Sequence, residues 1–152
     1  MKIFYISPSL VPSKSANSIH VINQVSAFQS LNYDITLFAA RSIYKKKFLS
    51  SLIYQNYGIE INKIESIFSP TKRFYEFLIA FKAVFFCLKE KDIYIISRNL
   101  YASCFLSLFY NGKHVYEAHE IFKGFRLFLQ KIIFKNINIK LVAISKIGRA
   151  HV

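Results

Sequence analysis

Ile3-Phe4-Tyr5-Ile6-Ser7-Pro8 opens the chain, and Ile35-Thr36-Leu37-Phe38-Ala39 follows one helix-length later. The first run is continuously apolar and stops at Ser7-Pro8, which suits a strand buried on both faces. Residues 7–16 read as a polar loop containing Pro8 and Pro12. Asn17 is a good helix cap, and Val21, Val25 and Phe28 then recur at helical spacing. Asn32, just past Leu31, can close that helix in the left-handed conformation Asn tolerates. The second apolar run is a second strand. Together these pieces predict a β-α-β unit.

Working outward, residues 45–57 read as a helix or an irregular excursion, and 61–68 as a third strand. Residues 74–89 are long and apolar enough for a packed helix. A strand over 92–97, a helix over 99–110 closed by Asn111-Gly112, and a strand over 114–117 follow. A helix over 122–136 and a last strand over 140–145 complete the pattern. Strands alternating with helices predict an α/β, Rossmann-like, doubly wound and mainly parallel sheet with helices on both faces. There is no internal repeat, linker or low-complexity segment.

A chain of 152 residues suffices for one domain with its own core, and 53% hydrophobic residues exclude a disordered protein. The most apolar run, 77–88, carries Lys82 and falls well short of the roughly 20 residues a membrane span needs. The N-terminal apolar run is too short for a signal peptide, so a cytoplasmic location is expected. The formal charge of +13 raises nucleic-acid and membrane readings. The basic residues are scattered, however, with Lys45-Lys46-Lys47 the only triple. Lys also shares A/T-rich codons with the abundant Ile, Phe, Asn and Tyr. A solvated face accounts for most of the charge, and peripheral contact with anionic lipid at the inner membrane face is the second reading. Nucleic-acid binding is not expected, since no stripe interleaves aromatic and basic residues. Cys87 and Cys104 sit among apolar residues without a Cys or His at ligand spacing, so buried thiols are expected.

Residues 147–152, Ile-Gly-Arg-Ala-His-Val, back-translate to the start of a common sequencing adapter. The expectation is a domain over 1–146, adapter translation over 147–152, and a natural protein that continues past Lys146.

In an open parallel sheet, ligands bind beyond the carboxyl ends of the strands, near the reversal of strand order. The segment after the first strand has neither a Gly-x-Gly-x-x-Gly turn nor a Gly-Lys-Ser/Thr phosphate loop, which disfavours a tight dinucleotide fold and an NTPase. It does offer a helix start whose amides would face an anion.

Three stretches carry a family likeness. Ile3 to Ser9, then Pro12-Ser13, then Ala16-Asn17-Ser18-Ile19-His20-Val21, resembles the opening of family 4 glycosyltransferases of the GT-B type. Leu31-Asn32-Tyr33-Asp34-Ile35-Thr36-Leu37-Phe38 is similar to that family's Leu-Gly-His-Asp-Val-Thr-Leu-Phe, with Asn for Gly at position 32. Ile96-Ser97-Arg98-Asn99 and Tyr116-Glu117-Ala118-His119-Glu120 resemble its Thr-Arg-Asn and Tyr-Glu-x-His elements. Residues 41–91 carry no likeness.

The resemblance implies the acceptor-side half of a retaining enzyme. Such an enzyme moves a sugar from a nucleotide-sugar donor to a glycan or lipid-linked acceptor, in surface polysaccharide biosynthesis. It implies no cofactor and no catalytic metal, and the absence of His-Glu-x-x-His around Glu117 to Glu120 agrees. By that likeness His119 is the catalytic candidate, hydrogen-bonding the transferred sugar. Ser9, Asn17, Ser18, His20, Arg98, Glu117 and Glu120 are the substrate-binding candidates. Arg98 and the Asn17–Ser18 helix start would stabilise the diphosphate, and Glu117 and Glu120 would orient the acceptor or His119. Each has a structural alternative. Arg98 equally suits an ion pair with Glu117, His20 a helix surface, and His119 a strand-end hydrogen bond. A non-catalytic binding module and the first half of a nucleotide-sugar epimerase are the competing functions. The donor-binding half, with its Glu-x7-Glu pair, is expected elsewhere in the gene, and the chain by itself is expected to be inactive.

Overall fold

The computed structural model describes residues 1–41, 45–68 and 74–143. Strands β1 (Lys2–Val11), β2 (Asp34–Arg41), β3 (Ile64–Phe68), β4 (Ile93–Ser97), β5 (Lys113–Ala118) and β6 (Ile139–Ala143) form one sheet in the order β3-β2-β1-β4-β5-β6. Every neighbouring pair is parallel. Helices α1 (Ala16–Ser30), α2 (Leu49–Tyr57, after a 3-10 turn over Lys46–Phe48), α3 (Tyr75–Lys89), α4 (Leu100–Phe109) and α5 (Gly124–Lys135) make the crossovers. The expected doubly wound α/β fold is therefore what the chain adopts. Residues 144–152, including the end of the expected last strand and the adapter-like segment, lie outside the described residues.

Alternation along the strands divides the core in two. Ile3, Tyr5, Ile35 and Leu37 pack with Val21, Ile22 and Val25 of α1 and with Leu49 and Ile53 of α2. Phe4, Ile6, Phe38 and Ile95 point the other way, against Ile79, Ala80 and Ala83 of α3 and Ala102 and Leu106 of α4. Leu100, Cys104, Tyr116, Ala118 and Ile133 extend that second core under α5. Cys87 and Cys104 are buried free thiols, and burial pushes the Cys87 thiol up to about 12. Among the described residues, no helix is long and apolar enough to cross a membrane.

Two local expectations are corrected. β1 does not stop at Ser7-Pro8 but runs to Val11, with a register shift against β2 between Ile6 and Leu10. The reason is that β4 leaves the sheet after Ser97, opposite Ile6, so Pro8 has no β4 partner to bond and its missing N–H costs nothing on that side. The cap of α1 is Ser15, not Asn17: Ser15 is extended and its hydroxyl accepts from the Ser18 amide at 3.2 Å. Asn17 instead occupies the first turn and donates to Ser9 Oγ at 2.7 Å. Asn32, with φ of 60°, takes the left-handed conformation expected of it.

Candidate functional site

The sheet order reverses between β1 and β4. From β1 the chain winds outward through β2 to β3, and from β4 through β5 to β6. A crevice of about 340 Å³ opens at the carboxyl ends of these strands. Pro8 and Asn17 form one wall, Tyr75 and Glu76 at the start of α3 another, and Phe122 and Arg126 a third. Arg98, Leu100, Tyr116, Glu117, His119 and Glu120 complete it. The turns after β1, β4 and β5 thus converge on one cleft. A parallel sheet also points its crossover helices the same way, so α1, α3, α4 and α5 all begin at this rim with their positive ends toward it.

Arg98 is the centre of the arrangement. Its backbone N–H donates to the Ile6 carbonyl at 2.9 Å, which fixes the residue where β4 ends. Only 7% of the residue is exposed. Its Nε lies 3.7 Å from Glu117 Oε2, and Nη2 lies 3.1 Å from His119 Nδ1. No described residue accepts a hydrogen bond from its buried Nη1. Because a guanidinium only donates, Nδ1 of His119 is the acceptor, and the ring proton sits on Nε2. Burial, then the guanidinium and His20, lower the His119 pKa to about 4. At neutral pH His119 is therefore an uncharged imidazole that offers an N–H.

Glu117 is anchored from the opposite side of the sheet. Gln24 Nε2 donates to its Oε1 at 3.0 Å, and the Tyr5 hydroxyl lies 2.9 Å from its Oε2. The same hydroxyl touches Gln24 Oε1, so its single proton can serve only one of the two. Burial and the adjacent Glu117 raise the Tyr5 pKa, leaving a neutral phenol. The buried carboxyl group thus holds the guanidinium from behind, and Arg98 presents its outer edge to the crevice.

Of the sequence candidates, Asn17, Arg98, Glu117, His119 and Glu120 line the crevice together. Ser9, Ser18 and His20 do not. Ser9 is buried one step behind, bonded to the Asn17 amide. Ser18 is fully buried, and its hydroxyl lies 2.8 Å from the Tyr57 hydroxyl, which also donates to the Ser13 carbonyl at 2.6 Å. This tyrosine latches the loop before α1 onto α2. His20 is half-buried and reaches the site only through its effect on His119.

Sequence reasoning missed Tyr75, Glu76, Phe122 and Arg126. Arg126 Nη2 meets Glu76 Oε2 at 3.0 Å, and its guanidinium lies 4.1 Å from the Phe122 ring centroid. Asn99 ties the same corner together: Oδ1 caps α4 at the Ala102 amide, and Nδ2 donates to the Glu76 carbonyl at 2.7 Å. Tyr75 and Glu76 belong to the stretch without family likeness. The only signal for them was their place at the start of a helix that follows a parallel strand.

A larger hollow of about 740 Å³ lies at the amino ends of β4–β6, beside Tyr94, Val115 and Lys140. It is walled by strand flanks and has no buried charge at its centre, so the smaller crevice is the better candidate. Among the described residues no His, Cys, Asp and Glu side chains group to hold a metal. The chain matches no protein-family model, no curated protein and no solved structure.

Proposed function

We propose that this chain is the acceptor-side half of a GT-B glycosyltransferase that takes a nucleotide-sugar donor and a glycan or lipid-linked acceptor with retention. The supporting observation is the buried Arg98 guanidinium at the strand-order reversal. It is held by Glu117 and His119, it keeps one edge toward a crevice, and four helix N-termini converge there. That is a fixed positive potential in a partly dehydrated site, which a departing diphosphate requires. Arg98 is assigned to the phosphate charge, the neutral His119 N–H to a hydroxyl of the transferred sugar, and Glu120 at the rim to the acceptor. Glu117 positions Arg98 rather than touching substrate. Surface polysaccharide synthesis at the cytoplasmic face of a membrane is the setting that the sequence resemblance suggests.

The test is the gene beyond Lys146. A second β/α half carrying a Glu-x7-Glu pair, together with sugar transfer by the extended protein that Arg98→Lys abolishes, would support the reading. An extended protein that transfers sugar equally well with Arg98→Lys would overturn it. The chain of 152 residues should not turn over any nucleotide-sugar by itself.

A further inference from the structure

The helices α3, α4 and α5 lie side by side on one face of the sheet, and their buried sides are accounted for by the second core. Their outer sides are apolar as well. On α3 the inward residues are Ile79, Ala80, Ala83 and Cys87, yet Phe81 on the opposite side is 68% exposed and Phe85 is 52% exposed. Phe109 at the end of α4 is 65% exposed, and Phe125 and Phe128 stack on each other on α5 with ring centroids 6.3 Å apart. A helix apolar all round its circumference is not designed to face water on one side. Phe77 of α3 and Phe105 of α4 are exposed too, with ring centroids 6.4 Å apart, so the apolar surface crosses from one helix to the next, and exposed apolar surface of this kind marks an interaction surface.

Charge selects the occupant. Glu76 is the only acidic residue on the three helices, and it is paired with Arg126. Lys89 lies 3.9 Å from the Phe85 ring centroid, and Lys131 and Lys135 are exposed on α5. A second copy of a chain with formal charge +13 would bring like charges together across this face. An anionic bilayer surface satisfies both features, since aromatic rings seat at the headgroup boundary and lysines pair with anionic lipid. We propose that the outer face of α3–α5 docks on an anionic lipid surface. Phe125 sits beside Arg126 of the crevice wall, so docking brings the mouth of the crevice to the membrane. The docking stands on this face alone, and only naming the lipid-borne group as the acceptor rests on the transferase reading.

Co-sedimentation of the full chain with vesicles tests it. Vesicles of equimolar phosphatidylglycerol and phosphatidylcholine should bind at least about tenfold more strongly than phosphatidylcholine alone. Raising the salt from about 0.05 M to about 0.5 M should weaken that preference. Phe81→Ser, Phe85→Ser and Phe128→Ser together should lower partitioning by about tenfold or more. Ile19→Ser on α1 with Leu31→Ser just after it should leave it unchanged. Lys131→Glu with Lys135→Glu, a change of exposed charge alone, should remove the lipid preference even if the triple variant folds poorly. Equal binding to both vesicles, or unaltered binding by the lysine variant, would overturn the inference. So would a concentration-dependent dimer abolished by the triple variant without vesicle binding, which would assign the face to a second copy. Vesicle binding needs no sugar donor. Docking without transfer by the extended protein therefore counts only against the transferase, and transfer without docking only against this inference.

Discussion

The two faces of the sheet solve the same covering problem in opposite ways. On the α1–α2 face, the outer positions are mostly polar: Asn23 and Ser30 on α1, Ser50, Gln55 and Asn56 on α2. The large apolar residues exposed there are Ile19, Leu31, Phe48 and Tyr54, fewer than on the other face. Yet beneath α1 lies the polar cluster of Tyr5, Gln24 and Glu117. On the α3–α5 face the packed interior is mostly apolar, with Ser103, His114 and Gln130 buried in it, and the exterior carries exposed phenylalanines among lysines. Stability and recognition are thus divided differently. The first face has an ordinary wet exterior and a costly polar interior that reaches through to the crevice. The second has an inexpensive interior and an exterior that water alone does not explain.

Breaking the polar interior should have the largest effect. Glu117→Ala leaves the Arg98 guanidinium buried without its counter-charge. It should destabilise the chain by about 3 kcal/mol or more in urea denaturation. Tyr5→Phe, which removes one donor and keeps the ring, should cost about 1 kcal/mol. If Glu117→Ala costs no more than Tyr5→Phe, the guanidinium is not trapped as described, and the contrast between the faces weakens.

The second face also buries an imidazole, His114. It is buried beneath α4 with Nε2 3.4 Å from Ser103 Oγ, and burial holds its pKa down to about 4 from 6.5. The unfolded chain therefore takes up a proton as pH falls below about 6.5, whereas the folded chain waits until about 4. More protons on the unfolded state mean that stability falls with pH through this window, by about 3 kcal/mol for His114 at its lower end. His119 titrates in the same direction, by a smaller amount because it is half-exposed. Comparing urea midpoints at pH 7 and pH 4.5, His114→Gln should show a clearly smaller loss than the unaltered chain. An equal loss in both would place the acid sensitivity elsewhere.

Asn99 ties two helices of the second face together, since it caps α4 and also holds the first turn of α3. Asn99→Ala should cost about 1–2 kcal/mol, toward the upper end of cap losses because a second hydrogen bond goes with it. Asn99→Asp keeps the cap and loses only the donation to the Glu76 carbonyl. It should fall between Asn99→Ala and the unaltered chain in thermal melts.

The legibility of the fold follows the same contrast. Continuous apolar runs such as Ile3 to Ile6 and Ile93 to Ile96 can only be strands covered on both sides, so the parallel sheet was readable directly. Helix limits were readable to within a few residues, because caps compete locally. Ser15 and Asn17 are both good caps, and only the geometry of the bulged end of β1 decides for Ser15. In the crevice, Arg98 and His119 were foreseen because each follows a strand. Gln24 and Glu76 were not, because they reach Glu117 and Arg126 across 93 and 50 residues of chain. No periodicity records such a pairing. The direction of α3 was the hardest, since a helix apolar on every side gives no sign of which side is core.

That ambiguity yields the smallest predicted effect. Phe81 and Phe85 lie on the solvent side of α3, so Phe81→Ser with Phe85→Ser should change folding stability by less than about 1 kcal/mol, chiefly through the lower helix propensity of Ser and the lost contact with Lys89. Ala83→Ser, one turn away but fully buried against the sheet, inserts a hydroxyl among apolar neighbours and should cost more than both exposed changes combined. Guanidinium denaturation of the two variants side by side settles which surface of α3 is core. If the exposed pair proves the more damaging, α3 packs through the phenylalanine side, and the lipid-facing assignment of that surface falls with it.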